Sequence, residues 1–256
     1  MNLAGVTDII RQTAREEVMP RFGKLASHQI REKKPGDLVT EADEACEIAL
    51  AARLSSFMPG STVVGEEAAA ADPEIFSRLL GKDAVWILDP IDGTTNFARG
   101  RPAFGVIVAL VVDGETQAGW IHDPVADVTV SAMKNKGAHA GETRLRVSAP
   151  KPLAEMVGAY NMRPNPELAA AVGRLIRHGS AAHDYLALVQ AKIEFSAYRR
   201  LMPWDHAAGV LIHREAGGYA ALLDGSPYTP LRHDGGILTA PNEESWTRLR
   251  AHLGPR

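Results

Sequence analysis

At 256 residues, with 45% hydrophobic and 23% charged residues, the chain can bury a sizeable core and has the balance of a soluble globular protein. Its formal net charge of −3, without a basic run, gives no electrostatic footprint for nucleic acid, and a single cysteine, Cys46, excludes an internal disulfide. No window reaches ~18 consecutive apolar residues and no charged-then-apolar leader opens the chain, so a cytoplasmic protein without membrane contact is expected.

Residues 4–26 carry Val6, Ile9, Ile10, Ala14 and Val18 at helical spacing, with Pro20 expected to kink or end the helix. Residues 31–36 (REKKPG) read as an exposed turn or hairpin. Residues 37–40 lead into a helix over 41–57, where Thr40 and Asp43 have capping-box spacing and Cys46 reads as a buried thiol. A strand over 61–64 delivers Gly65, Glu66 and Glu67, and the polar, alanine-rich residues 68–82 read as a mobile flap.

The stretch at 85–100 (VWILDPIDGTTNFARG) is the most informative. An apolar run delivers Asp89, Pro90 is expected to close the strand, and Asp92 follows. Two carboxylates at the mouth of a buried strand repel each other and resist desolvation, so they call for a hard cation such as Mg²⁺, Mn²⁺ or Ca²⁺. The Gly93-Thr94-Thr95 turn beside them suits a phosphate, because its backbone N–H groups can point outward. Strands are expected over 104–112, 115–122, 128–133 and 144–147, with a hairpin at 113–114. A seam at 151–152 divides the chain into an N-terminal α+β lobe (1–150) and a C-terminal α/β lobe (151–256). In the second lobe strands are expected over 156–160, 193–197, 219–222 and 237–240, and helices over 166–177, 180–192, 207–216 and 243–253.

Four segments in one order, DLVTEAD (37–43), GEE (65–67), DPIDGTTNF (89–97) and WDHAAG (204–209), resemble the inositol monophosphatase family of Mg²⁺-dependent, Li⁺-sensitive phosphomonoesterases. The resemblance covers nearly the whole chain and implies a layered αβαβα sandwich, a homodimer, and two to three Mg²⁺ per site. By position, it implies that Glu66, Asp89 and the Ile91 carbonyl hold a first ion and Asp89, Asp92 and Asp205 a second. Glu66, with Asp43 through water, would hold a third, and Glu67 reads as a supporting or surface acid. Thr94 with Glu66 would orient the attacking water, while Gly93, Thr94 and Thr95 would contact phosphate. Gly179, Ser180, Ala181 and Tyr198 match the segments that contact substrate. Inositol-hydrolysing members carry a glutamate where this chain has Tyr198, and Arg199 and Arg200 alter the same run, as do His183 and Tyr185 in the preceding helix.

The residues themselves leave simpler roles open: Asp205 as a helix N-cap, Asp43 as a capping-box acid, Asp37 as a loop acid, Arg199 and Arg200 as solvated or interface residues, and His206 and His213 as packed histidines. The expected function is hydrolysis of a small phosphorylated metabolite, an inositol or other sugar or polyol phosphate. Histidinol phosphate, fructose bisphosphate and 3′-phosphoadenosine phosphates are alternatives. A regulatory protein contacting the transcription machinery is the reading from a different class.

Overall fold

The computed structural model describes residues 2–34 and 36–253. The expected first helix stops early: α1 covers Leu3–Thr13 and a π-helical turn covers Ala14–Val18, so the helical path ends two residues before Pro20. Strands β1 (Ile30–Lys34) and β2 (Asp37–Thr40) pair antiparallel, as expected of a hairpin; Pro35, part of the turn expected over 31–36, lies outside the described residues. Helix α2 (Glu41–Phe57) begins with the expected capping box: Asp43 Oδ2 accepts from the Thr40 backbone N–H at 2.9 Å.

A seven-stranded sheet follows, in the order β3 (Thr62–Gly65), β4 (Val85–Asp92), β5 (Gly105–Val112), β6 (Glu115–Asp123), β7 (Val128–Met133), β8 (Gly137–Ala140) and β9 (Thr143–Arg144). Only β3 and β4 pair in parallel. The expected strand over 144–147 is thus the two-residue β9, preceded by the unforeseen β8. Between β3 and β4 lie α3 (Glu66–Ala71) and a 3₁₀ segment (Pro73–Leu80). This stretch is not a flap: Leu79 is buried and Phe76 stacks on Trp204 with ring centroids 5.8 Å apart. Short α4 (Thr94–Ala98) leaves the end of β4.

The chain then builds β10 (Val157–Asn161), α5 (Pro166–Ala171), β11 (Arg174–Ile176), α6 (Ala181–Val189), β12 (Phe195–Tyr198), α7 (Pro203–Glu215), β13 (Tyr219–Leu222), β14 (Ile237–Ala240) and α8 (Glu243–Ala251). Its five strands order as β11-β10-β12-β14-β13. The expected helix over 166–177 is therefore broken. It ends at Ala171, and the next residues form an edge strand parallel to β10.

Side-chain alternation along β5 explains the layering. Val106, Val108 and Leu110 join a core with α1 and α2, while Ile107, Ala109 and Val111 join one with α6 and α7. The second core also takes in Ala159, Leu222 and Ile237 from the five-stranded sheet. The far face of that sheet packs Phe195 and Leu238 against Trp246 and Leu249 of α8. The layers run α1/α2, seven-stranded sheet, α6/α7, five-stranded sheet, α5/α8, which is an αβαβα sandwich. Cys46 is buried in the first layer, as expected. Among the described residues no helix is long and apolar enough to cross a membrane.

Candidate metal centre

Strand β4 does not stop at Pro90. Its register against β5 shifts between Asp89 and Asp92, and Pro90, which has no N–H to pair, sits within the irregularity. Asp89 continues the alternation that turns Val85 and Ile87 toward α7. Asp205, in the first turn of α7, lies on that side. Asp89, Asp92 and Asp205 each offer an oxygen, and the three oxygens lie within 4.8 Å of one another. Asp205 is therefore part of the acidic cluster, and it makes no N-cap hydrogen bond.

Burial, then repulsion from Glu66 and Asp92, pushes the Asp89 carboxyl well above the usual carboxylate range. Burial, then Asp92 and Glu66, does the same to Asp205. Asp92 is pushed up by burial to about 6, opposed by hydrogen bonds from Ser180 and from the backbone of Ala182 and Ala181. Three carboxylates that cannot comfortably ionise together, all offering hard oxygen donors, fit a divalent cation of the Mg²⁺ type.

Gly93 takes φ +91°, and a Cβ there would lie 2.9 Å from the Ala103 carbonyl, so only glycine fits this corner. Gly93, Thr94, Thr95, Ile91, Gly179, Glu66 and the three aspartates all line one cavity of about 160 Å³. Thr94 Oγ1 lies 3.0 Å from the Ile91 carbonyl and 3.2 Å from Asp43 Oδ1. The carboxylate that Thr94 touches directly is Asp43, while Glu66 lines the same cavity. Asp43 is buried, and burial raises its carboxyl to about 7 against the hydrogen bonds from Thr40.

Glu66 is instead engaged by Lys33, whose Nζ donates to its Oε1 at 2.8 Å and to Glu67 Oε1 at 3.0 Å. Burial, then Glu66, raises the Glu67 carboxyl to about 7 despite Lys33. Asp37 lines the same cavity, and its Oδ1 is 3.9 Å from Lys33 Nζ. Lys33 was missed in the sequence because its stretch reads as a solvated turn; hairpin pairing with β2 is what turns it inward. Glu47 was missed too: its carboxylate accepts from the Glu67 and Ala68 backbone N–H groups, both at 2.8 Å, and so caps α3.

The segments expected to contact substrate divide. Gly179 lines the cavity. Ser180 and Ala181 are buried and hold Asp92 instead, Ser180 through its hydroxyl and Ala181 through its backbone. Tyr198 donates its hydroxyl to Asp184, a fully buried carboxylate that also accepts from His178 Nδ1 at 2.6 Å and Asn161 Nδ2 at 2.8 Å. His178 is raised above its usual pKa by that hydrogen bond. His206 and His213 are packed histidines, each pushed down to about 4 by burial. His183 Nε2 lies 3.1 Å from the Phe104 carbonyl.

Comparison with known proteins gives a family model described as "Inositol monophosphatase family" matching residues 3–253. The chain is 34% identical over 237 residues to an inositol-1-monophosphatase of Mesorhizobium japonicum, covering 87% of this chain and 85% of that one. It is also 34% identical over 207 residues to a protein named Nus factor SuhB of Pasteurella multocida, covering 75% and 74%. The crystal structure of extragenic suppressor protein suhB from Bartonella henselae superposes with a TM-score of 0.84 at 28% identity, covering 98% of this chain and 97% of that one.

Proposed function

The chain belongs to the inositol monophosphatase family and is a phosphoric monoester hydrolase, and on that premise we propose that it is Mg²⁺-dependent and cleaves small phosphorylated metabolites by attack of water. The observation that carries the proposal is the meeting of Asp89, Asp92 and Asp205, from two distant segments, within 4.8 Å. Glu66 and the Ile91 carbonyl on the same cavity wall would complete the donor set. Bound Mg²⁺ supplies positive charge to the ester and lowers the pKa of water.

The chain's own groups then have distinct tasks. Ser180 and the backbone of Ala182 fix Asp92 by hydrogen bonds. Gly93, Thr94 and Thr95 present the first N–H groups of α4, which have no acceptor within the helix, to the phosphate. The Thr94 hydroxyl orients the attacking water and hands a proton on to Asp43, whose raised carboxyl can hold it near neutral pH. In-line phosphoryl transfer asks mainly for this positioning and charge neutralisation.

The same premise supports a cytoplasmic homodimer inhibited by Li⁺. Phosphate release across a panel of sugar, polyol and nucleotide monoesters, with Mg²⁺ and with chelator, tests the proposal. Release from at least one ester that vanishes on chelation supports it; a flat panel in saturating Mg²⁺ contradicts it. A second reading, a regulatory partner of transcription, is favoured by the relative named Nus factor SuhB. RNA polymerase binding that survives Asp92→Asn in a protein without phosphatase activity would establish that reading instead.

A further inference from the structure

The segment joining β12 to α7 is pinned at two points by buried polar contacts. Tyr198 is tied to Asp184, whose carboxylate is already shared by His178 and Asn161. Two residues on, the Arg200 carbonyl accepts from His206 Nε2 at 2.9 Å, and Tyr185 donates its hydroxyl to His206 Nδ1 at 3.0 Å. A carbonyl only accepts, so Nε2 carries the imidazole hydrogen, which leaves Nδ1 of the neutral ring to accept from the tyrosine.

A backbone so anchored leaves the Arg199 and Arg200 side chains exposed on the wall of a cavity of about 530 Å³, beside Asn161, Met162 and His233. Among the described residues no carboxylate lies within 4.0 Å of either guanidinium. Asp234, on the same wall, is engaged by Arg232 Nε at 3.3 Å. The Arg200 carbonyl is held by His206, the residue after Asp205, so this wall of the cavity runs into the first turn of α7, where the acidic cluster sits. Asp184, fully buried and with three donors, offers the cavity no open carboxylate to accept from substrate hydroxyls.

We propose that Arg199 and Arg200 form a second anion subsite, so that the preferred substrates are small phosphate monoesters carrying another anionic group, a phosphate or a carboxylate, on the part of the molecule that is not cleaved. The proposal rests on the phosphatase reading. Guanidinium forks match phosphate and carboxylate oxygens in pairs, which gives orientation as well as attraction. The scissile phosphate sits over the acidic cluster, and the second group reaches the unpartnered cations.

The test compares kcat/KM within two matched pairs in saturating Mg²⁺: a sugar bisphosphate against its monophosphate, and phosphoglycerate against glycerol phosphate. The first pair reads a second phosphate, the second a carboxylate. The wild type is expected to favour the doubly anionic member of at least one pair by about tenfold or more, the scale of one charge-assisted contact. In Arg199→Ala/Arg200→Ala that preference should collapse to within about threefold, chiefly through KM, while the double lysine variant recovers only part of it. Turnover without preference in the wild type, or a preference that survives the double alanine variant, overturns the subsite and leaves the phosphatase reading standing. If the wild type turns over no ester at all, the phosphatase reading fails first. Calorimetric titration of the Mg²⁺-loaded protein with the same pairs then decides the subsite. Tighter binding of the doubly anionic member that is lost in the variant supports it, and equal binding refutes it.

Discussion

Replacing Asp89 by asparagine should stabilise the metal-free protein while abolishing turnover. Asp89 shares a volume no wider than 4.8 Å with Asp92 and Asp205, and two unit charges at that distance in an effective dielectric of about 20 repel by about 3.5 kcal/mol. Part of this is relieved because the raised carboxyls take up protons, so the net gain expected from removing one charge is about 2–4 kcal/mol near pH 8. Asparagine keeps the contacts that matter: its carbonyl can accept from the Ile91 N–H, now 3.1 Å from Asp89 Oδ1, and its amide can donate to Asp205, already a hydrogen-bond partner.

Because the folded-state pKa values of Asp89, Asp92 and Asp205 lie above the unfolded value, the wild-type cluster is best tolerated below about pH 4. Its contribution is lost as pH rises above that unfolded value: for Asp92 the loss is complete once pH passes about 6, and Asp89 and Asp205, held higher, carry it further. Thermal melts in chelator should therefore show Asp89→Asn above the wild type near pH 8 by about 5–15 °C, with a smaller gap near pH 5. Millimolar Mg²⁺ should reverse the order, because only the intact cluster gains binding free energy. A variant that melts below the wild type in chelator, or that keeps the full wild-type pH slope, refutes the reasoning.

Thr94→Ala should lower kcat by about a hundredfold or more with little change in KM, and Thr94→Ser should retain most activity. An alanine variant with wild-type kcat removes Thr94 from proton handling. Tyr198→Phe leaves the buried Asp184 one donor short and should cost about 1–3 kcal/mol in denaturant unfolding; unchanged stability would mean the hydroxyl is not engaged there. Gly209→Ala should be strongly destabilising, since its Cβ would collide with the Tyr185 ring. Overpacking of that kind costs about 3 kcal/mol, and unchanged denaturant unfolding in Gly209→Ala would show that the Tyr185 ring has room to give way.

The acids at positions 66, 89, 92 and 205 were legible in the sequence because two of them close a buried strand and the others stand in short, distinctive motifs. The Thr40–Asp43 capping box was legible because it is a local rule with a fixed spacing. What escaped was non-local. Strand β11 needs β10 beside it before three residues can pair as a strand, so its sequence alone reads as helix. The flap expected over 68–82 is held by Leu79, Ile75 and Phe76, whose packing partners lie elsewhere in the chain. Lys33 and Asp184 acquire their roles only when the β1–β2 hairpin and the start of α6 meet Glu66 and Tyr198. The positions matched to substrate contacts divided for the same reason. Whether Ser180 faces a ligand or Asp92 is set by helix placement, not by residue type.

The central claim is that these carboxylates converge to hold divalent metal. Anomalous diffraction from crystals loaded with Mn²⁺ in place of Mg²⁺ tests it most directly. A peak within coordination distance of Asp89, Asp92 and Asp205 is the expected result. Metal bound elsewhere, with phosphate release intact in Asp205→Asn, would contradict it.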